Sequence, residues 1–198
     1  MAYSMNPLTA DCYPGTAVLI NKLGIRNDAE LTEVEAEIVS VRIAEWSKAP
    51  LVATFDLEHY KAIHRHLFSD LYDWAGQIRT VNLAKKGTHF CPAPEIETRG
   101  KLIFDRLQKL DYLRGMEHSI FVEELTDFYC STNELHPFRE GNGRTQRLFL
   151  SQLARNAGYA LNFSEVDGDL LMIATIQSAQ GVIDLLKRVL GEATRPIE

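Results

Sequence analysis

The sequence has little with which to staple, anchor or steer itself by charge. Its three cysteines in 198 residues, Cys12, Cys91 and Cys130, are odd in number, far apart and outside any metal-ligand spacing. That excludes a disulfide framework and points to a reduced compartment, expected to be the cytoplasm. No apolar run approaches the ~20 residues of a membrane-spanning helix. Residues 1–11 lack the basic start and apolar stretch of a secretory leader. Positive charge is not in excess: 21 Lys+Arg against 27 Asp+Glu leave a net charge of -6. Bulk attraction to nucleic acid or to an anionic membrane is therefore not expected. Internal repeats and Pro/Gly/Ser-rich linkers are missing too, so a single domain over residues 1–198 is expected.

Strand signal is also scarce. Only residues 78–83 alternate, with Arg79, Val81 and Leu83 set against Thr80 and Asn82; Lys85-Lys86-Gly87 can turn, and residues 88–91 can return. A lone hairpin cannot form an independent sheet. It is either decoration or a flap whose exposed edge a partner can pair with.

What is present is helical periodicity. Turn signals at Asn6-Pro7 and Pro14-Gly15 open the chain, and a short helix is expected at about 17–23. A long helix follows at about 27–46, with Asn27 as cap, Glu30 completing a capping box, an apolar stripe of Leu31, Val34, Ile38 and Val41, and Pro50 closing the segment. Asp56 can cap a helix to about residue 69 that carries His59, His64 and His66. These are not at ligand spacing on one face and read as surface or ordinary packed histidines. Further helices are expected at about 95–110, from Ser119 as cap to Leu135, from Asn142 or Gly143 to about 157, at 164–180 and at 182–190. Phe121, Leu125, Phe128, Thr132 and Leu135 form the most regular stripe, so that helix should be central. The expected fold class is all-α with one β-hairpin.

The central helix delivers His136, and Pro137 forbids simple continuation. From His136 to Arg147 the chain gathers a titratable base, a carboxylate, two glycines around an asparagine and two arginines. Asn142 can cap the next helix, whose first amides lack intrahelical acceptors and suit a phosphate. Gly141 and Gly143 permit positive φ and close approach by a ligand. Arg144 and Arg147 share a face of the first turns, where cations oppose the helix dipole by ~0.3–1 kcal/mol each; a polyphosphate reverses that cost. Glu140 beside phosphates implies a bridging cation, and Mg²⁺ suits one carboxylate plus phosphate oxygens. His136 can accept a hydroxyl proton near neutral pH. Singly, these features have ordinary readings: a turn, a solvated arginine pair, a structural histidine.

Together they resemble the signature of the Fic family, His-x-Phe-x-(Asp/Glu)-Gly-Asn-Gly-Arg-x-x-Arg, matched at every specified position. Residues 74–81 with Lys85 and Phe90 resemble the family's flap. Tyr13-Pro14-Gly15-Thr16 with residues 21–25 resembles toxin-type and effector-type members. The resemblance implies a Fic fold, helical with a β-hairpin flap over the active site and a catalytic core at about 55–160. It implies transfer of AMP from ATP to a hydroxyl side chain of a target protein, with pyrophosphate released. His136 would be the catalytic base. Glu140 would hold Mg²⁺. The backbone of Gly141, Asn142 and Gly143, with the Asn142 side chain, would hold the α- and β-phosphates. Arg144 would neutralise the β-phosphate and Arg147 meet the γ-phosphate. Phe138 would be a buried anchor. The flap, with Leu83, Lys85, Thr88 and Phe90, would dock the target's main chain, and residues 176–180 would lie near adenine.

Two departures narrow the resemblance. The kinase branch carries Lys where this chain has Gly143, so phosphorylation is disfavoured. The in-chain inhibitory pattern Ser/Thr-x-x-x-Glu-Gly/Asn is missing: Thr54 and Glu58 are followed by His59, Ser119 and Glu123 by Glu124, and Thr194 and Glu198 end the sequence. That resembles members held by a separate small antitoxin, whose glutamate competes for Arg147. For toxin-type members the resemblance implies DNA gyrase and topoisomerase IV subunits as targets. The alternatives are transfer of another phosphate-linked group, such as UMP or phosphocholine, and a non-catalytic nucleotide-binding module.

Overall fold

The computed structural model describes residues 11–49, 52–85 and 88–197. The expected features at Asn6-Pro7, Pro50 and Lys86-Gly87 lie outside the described residues. Seven helices carry the described fold: α1 (Asp28–Lys48), α2 (Leu57–Phe68), α3 (Ile96–Lys109), α4 (His118–Leu135), α5 (Asn142–Asn156), α6 (Gly168–Ser178) and α7 (Asp184–Glu192). Two small antiparallel pairs accompany them, β1 (Ala84–Lys85) with β2 (Thr88–His89) and β3 (Tyr159–Leu161) with β4 (Thr194–Pro196). Among the described residues no helix is long and apolar enough to cross a membrane.

Local chemistry starts the first two helices as expected. The Asn27 side chain accepts from the Glu30 amide, and the Asp56 side chain from that of His59. The core forms where α2, α3, α4 and α5 converge. Phe149, fully buried, meets the rings of Phe55, Tyr60, Phe104 and Phe128 at centroid separations of 5.4–5.8 Å. Each such ring contributes ~1.5–3 kcal/mol by burial alone. Gln146 ties α5 to α4, its amide nitrogen donating to the Tyr129 carbonyl at 2.8 Å and the Thr132 hydroxyl at 2.7 Å. The α4 stripe is buried as expected and puts His136 at the helix end.

Several expectations fail, each for a local reason. Residues 17–23 form no helix. The Asn21 amide donates to the carbonyls of Leu19 and Ile25, and its oxygen accepts from the Ile25 amide. That side chain offers the backbone an alternative to helical bonding, and Cys12 pairs with Leu19 in an isolated bridge. Residues 78–83 form no strand, because the Arg79 amide is bonded to the Pro137 carbonyl and the pairing is confined to β1 and β2. The β3–β4 pair was not anticipated; three residues a side are too short for alternation to show. Helix α4 starts at His118 with Glu117 at its N-cap and no side-chain cap, so Ser119 does not cap it. Helix α6 starts only at Gly168, where Asp167 caps it, and a 3₁₀ turn at Phe163–Glu165 precedes it. On α1 the buried face is Leu31, Glu35, Val39 and Trp46, one residue round from the expected stripe, and Val41 is exposed.

Candidate active site

His136 caps α4 in the left-handed region (φ 42°, ψ 59°), a conformation that costs a non-glycine residue free energy and persists where the surroundings enforce it. Arg79 enforces it. Its amide donates to the Pro137 carbonyl at 2.9 Å, and its guanidinium donates to the carbonyls of His136, Val81 and Cys91 at 2.8, 2.6 and 2.6 Å. The His136 ring lies parallel to Phe90 at 3.7 Å. Its Nδ1–H donates to the Asn133 carbonyl at 3.2 Å, which puts the lone pair on Nε2. The imidazole pKa is lowered to about 3, chiefly by burial; the Asn133 bond opposes the shift and the cations of Arg79 and Lys85 add to it. The base is therefore uncharged at neutral pH.

Phe138 is fully buried against Tyr60 and His64, as expected of the loop's anchor. Gly141, not Asn142, is the N-cap of α5. Asn142 is the first helical residue, and its side chain faces back into the loop: Oδ1 accepts from the Phe138 amide at 2.9 Å and Nδ2 donates to the Phe138 carbonyl at 2.7 Å. That carboxamide holds the cradle's shape. Gly141 has φ +78°, and a Cβ there would lie 2.3 Å from the Phe68 ring. Gly143 lies in the helix and makes no use of positive φ; a Cβ there would meet only Arg147 Nη1, at 3.4 Å. Its missing side chain leaves room in the cavity rather than relieving the backbone.

Glu140 is held from both ends. Its Oε1 accepts from the Gly141 amide at 2.9 Å. Its carbonyl accepts from His64 Nε2–H at 3.0 Å, while His64 Nδ1 accepts from the Gly76 amide at 2.8 Å. Burial lowers the His64 pKa to about 3, with Arg144 lowering it further, so the ring is a neutral bridge. Arg144 donates to Glu35 and, at 3.5 Å, to Glu140, and it lies over the Phe68 ring at 4.8 Å. Burial keeps Arg147 below its ordinary pKa, and Arg144 adds to this. Among the described residues no carboxylate lies in ion-pair range of Arg147.

His136, Glu140, Gly141, Asn142, Gly143, Arg144 and Arg147 all line one cavity of about 610 Å³, a size that suits a nucleotide-sized ligand. Lys85, Thr88 and Phe90 of the flap close its rim. Leu83 does not reach it: the side chain is buried, and its carbonyl accepts from the Phe90 amide at 3.2 Å. Another part of the lining is mostly apolar. It includes Ile176 and Ala179 from the expected adenine region but begins earlier, with Phe163, Val166, Leu171, Met172 and Thr175.

The Fic/DOC family model matches residues 54–154, just over half of the chain. This chain belongs to the Fic/DOC family. It is 39% identical over 181 residues to "Probable protein adenylyltransferase Fic" of Salmonella typhimurium, covering 91% of this chain and 90% of that one. It is 38% identical to "Protein adenylyltransferase VbhT" of Bartonella schoenbuchensis, covering 89% of this chain and 37% of that longer one. Among solved structures, the BepC protein of Bartonella tribocorum with bound AMPPNP superposes with a TM-score of 0.88 at 28% identity, over 95% of this chain and 97% of that one. The Fic fold expected from the sequence is the fold observed.

Within this Fic domain three side chains that the signature does not contain hold its members in place: Glu35, His64 and Arg79. His64 could have been found, since it follows Tyr60 by four residues on the buried side of α2. Arg79 gave no signal beyond its place near the flap. Glu35 gave none, since it lies off the stripe expected on α1 through Leu31, Val34, Ile38 and Val41.

Proposed function

We propose that this protein transfers AMP from ATP to a hydroxyl side chain of another protein. The observation that carries the reading is that His136 and the amide-and-arginine cradle of α5 line the same cavity. The names of the relatives, protein adenylyltransferases, and the AMPPNP in the BepC structure support it. The target oxygen attacks the α-phosphorus and the bond to the β-phosphate oxygen breaks. Pyrophosphate leaves, and the hydroxyl proton goes to His136 Nε2. Because that imidazole is uncharged before the reaction, it can take the proton. The first amides of α5 and the two arginines oppose the negative charge on the phosphates.

Glu140 fits the expected Mg²⁺. Its side chain is part-exposed on the cavity, and among the described residues no cluster of three His, Cys, Asp or Glu side chains competes for a cation. The other ligands would be phosphate and water oxygens, the arrangement Mg²⁺ favours. Bound there, the ion would supply charge neutralisation across the phosphates.

The edge of β1 and β2, two residues a strand, can add a target's extended segment beside His136. Arg147, with no carboxylate partner among the described residues, suits an inhibitory glutamate from a separate antitoxin. A toxin role against DNA gyrase or topoisomerase IV subunits belongs to the same proposal. Incubation with ATP labelled at the α- or γ-phosphate tests it: label from α alone should reach protein. Transfer of γ-label, or label from UTP in preference to ATP, would refute AMP transfer. His136→Ala should abolish transfer and largely spare ATP binding. Retained AMP transfer in the presence of the candidate antitoxin would remove that partner.

A further inference from the structure

Arg144 is the one cradle cation whose guanidinium is anchored from outside the signature. The anchor is Glu35, on α1, outside residues 54–154 that the family model matches. Glu35 is buried at 8% exposure in a row with Leu31, Val39 and Trp46, a position that costs a carboxylate its hydration unless charge and hydrogen bonds replace it. Both of its oxygens are engaged. Oε1 accepts from Arg144 Nη2, and Oε2 accepts from the Tyr72 hydroxyl at 2.5 Å. Burial, and next the Glu35 carboxylate itself, raise the Tyr72 pKa, so the phenol stays a donor. Phe68 supports the Arg144 guanidinium from below, at 4.8 Å. Helix α1 is fixed against α2 by Arg42, which bonds Asp70 through Nε and Nη2, and by the Arg42 carbonyl accepting from His66 Nε2 at 2.9 Å.

We infer that Glu35 is a positioning residue for nucleotide binding. Fixed by Tyr72 and α1, it holds the Arg144 guanidinium at the cavity wall in the orientation that receives the phosphates. The inference rests on the nucleotide reading above. Its consequence is that the phosphate site is built from two parts of the chain 109 residues apart. A purely structural ion pair would cost stability when broken but would not tell phosphate from nucleoside. A positioning residue acts only through the charge that Arg144 presents.

Calorimetric titration of full-length protein with Mg-ATP and with adenosine separates the two. Glu35→Gln keeps the side chain's size and an acceptor for Tyr72 but removes the charge that orients Arg144. It should weaken ATP binding about tenfold and leave adenosine binding unchanged. In an Arg144→Ala background, Glu35→Gln should have no further effect on ATP binding, because the residue it acts through is gone. Tyr72→Phe, which removes the hydroxyl and leaves both charges, should shift ATP binding the same way by a smaller factor. It serves if Glu35→Gln does not fold. Unchanged or tighter ATP binding in the variants would overturn the inference, as would equal losses for ATP and adenosine, or additivity with Arg144→Ala. If the wild-type protein binds ATP no better than adenosine, the nucleotide reading falls and the inference with it. If wild type prefers ATP and Glu35→Gln keeps that preference, the inference alone falls.

Discussion

Lowering the pH from 7 to 5 should destabilise this protein through two buried histidines. His64 and His136 each have a folded-state pKa of about 3, with burial the main cause, against an ordinary value of about 6.5. The folded pKa is depressed, so each contributes stability that is fully present above pH 6.5 and is lost as pH falls towards 3. Between those limits the unfolded chain binds a proton that the folded chain does not. The slope approaches ~1.4 kcal/mol per pH unit per histidine, which integrates to about 2 kcal/mol each between pH 7 and 5. Together they remove about 4 kcal/mol, a large part of the ~5–15 kcal/mol that holds a typical domain. His59, whose pKa burial also lowers, acts in the same direction. Urea denaturation at pH 7, 6 and 5 measures the loss. Carboxylates titrate over part of this range, so the decisive quantity is a difference: His136→Asn should lose about 2 kcal/mol less than wild type between pH 7 and 5. If the variant keeps the whole wild-type slope, His136 is not held neutral by the fold. The account of a base kept ready for a proton would then be wrong.

Other substitutions test separate parts of the cradle. Gly141→Ala places a Cβ 2.3 Å from Phe68 at φ +78°, so it should cost about 3 kcal/mol or more in denaturation and abolish ATP binding. Gly143→Ala meets only ordinary contact, so stability should change by less than about 0.5 kcal/mol while ATP binding falls, because the space it fills belongs to the ligand. Arg79→Ala leaves three backbone carbonyls without their donor and should cost about 2–4 kcal/mol; kcat should fall more than ATP affinity, since the displaced residue is His136. Phe138→Ala should cost about 3–5 kcal/mol by opening a cavity under the loop.

The helices that bury one clean stripe were readable before any coordinates. The α4 pattern from Phe121 to Leu135 is buried as its spacing implied, and it carries His136 to the cavity. Caps were readable where a side chain made them, at Asn27 and Asp56, and misread at Asn142, where a different bond prevailed; the helix expected at 17–23 failed because Asn21 bonds its own loop. Asn142 suits a helix start by type, and Asn21 stood inside an expected helix. In the fold both instead satisfy backbone groups of a nearby loop, a choice that depends on where that loop is placed. The strand expected at 78–83 failed for the same kind of reason, since Arg79 bonds to the carbonyls of His136 and Pro137 rather than to a neighbouring strand.

A short signature fixes which groups meet the substrate but not what holds them still, and here the two come from different parts of the chain. Three members of the signature have a distant support: Glu140 from His64 over 76 residues, His136 from Arg79 over 57, Arg144 from Glu35 over 109. None of those supports looks unusual within its own turn of chain. On α1 the support is a glutamate buried in a row with Leu31, Val39 and Trp46. It is tolerated because a buried carboxylate with a bound arginine and tyrosine has its hydration replaced, whereas the same residue unpaired would cost several kcal/mol, of order 3–5. Where a buried row carries a carboxylate, a counter-charge from elsewhere in the fold can replace its hydration. In this protein that counter-charge is a cradle arginine.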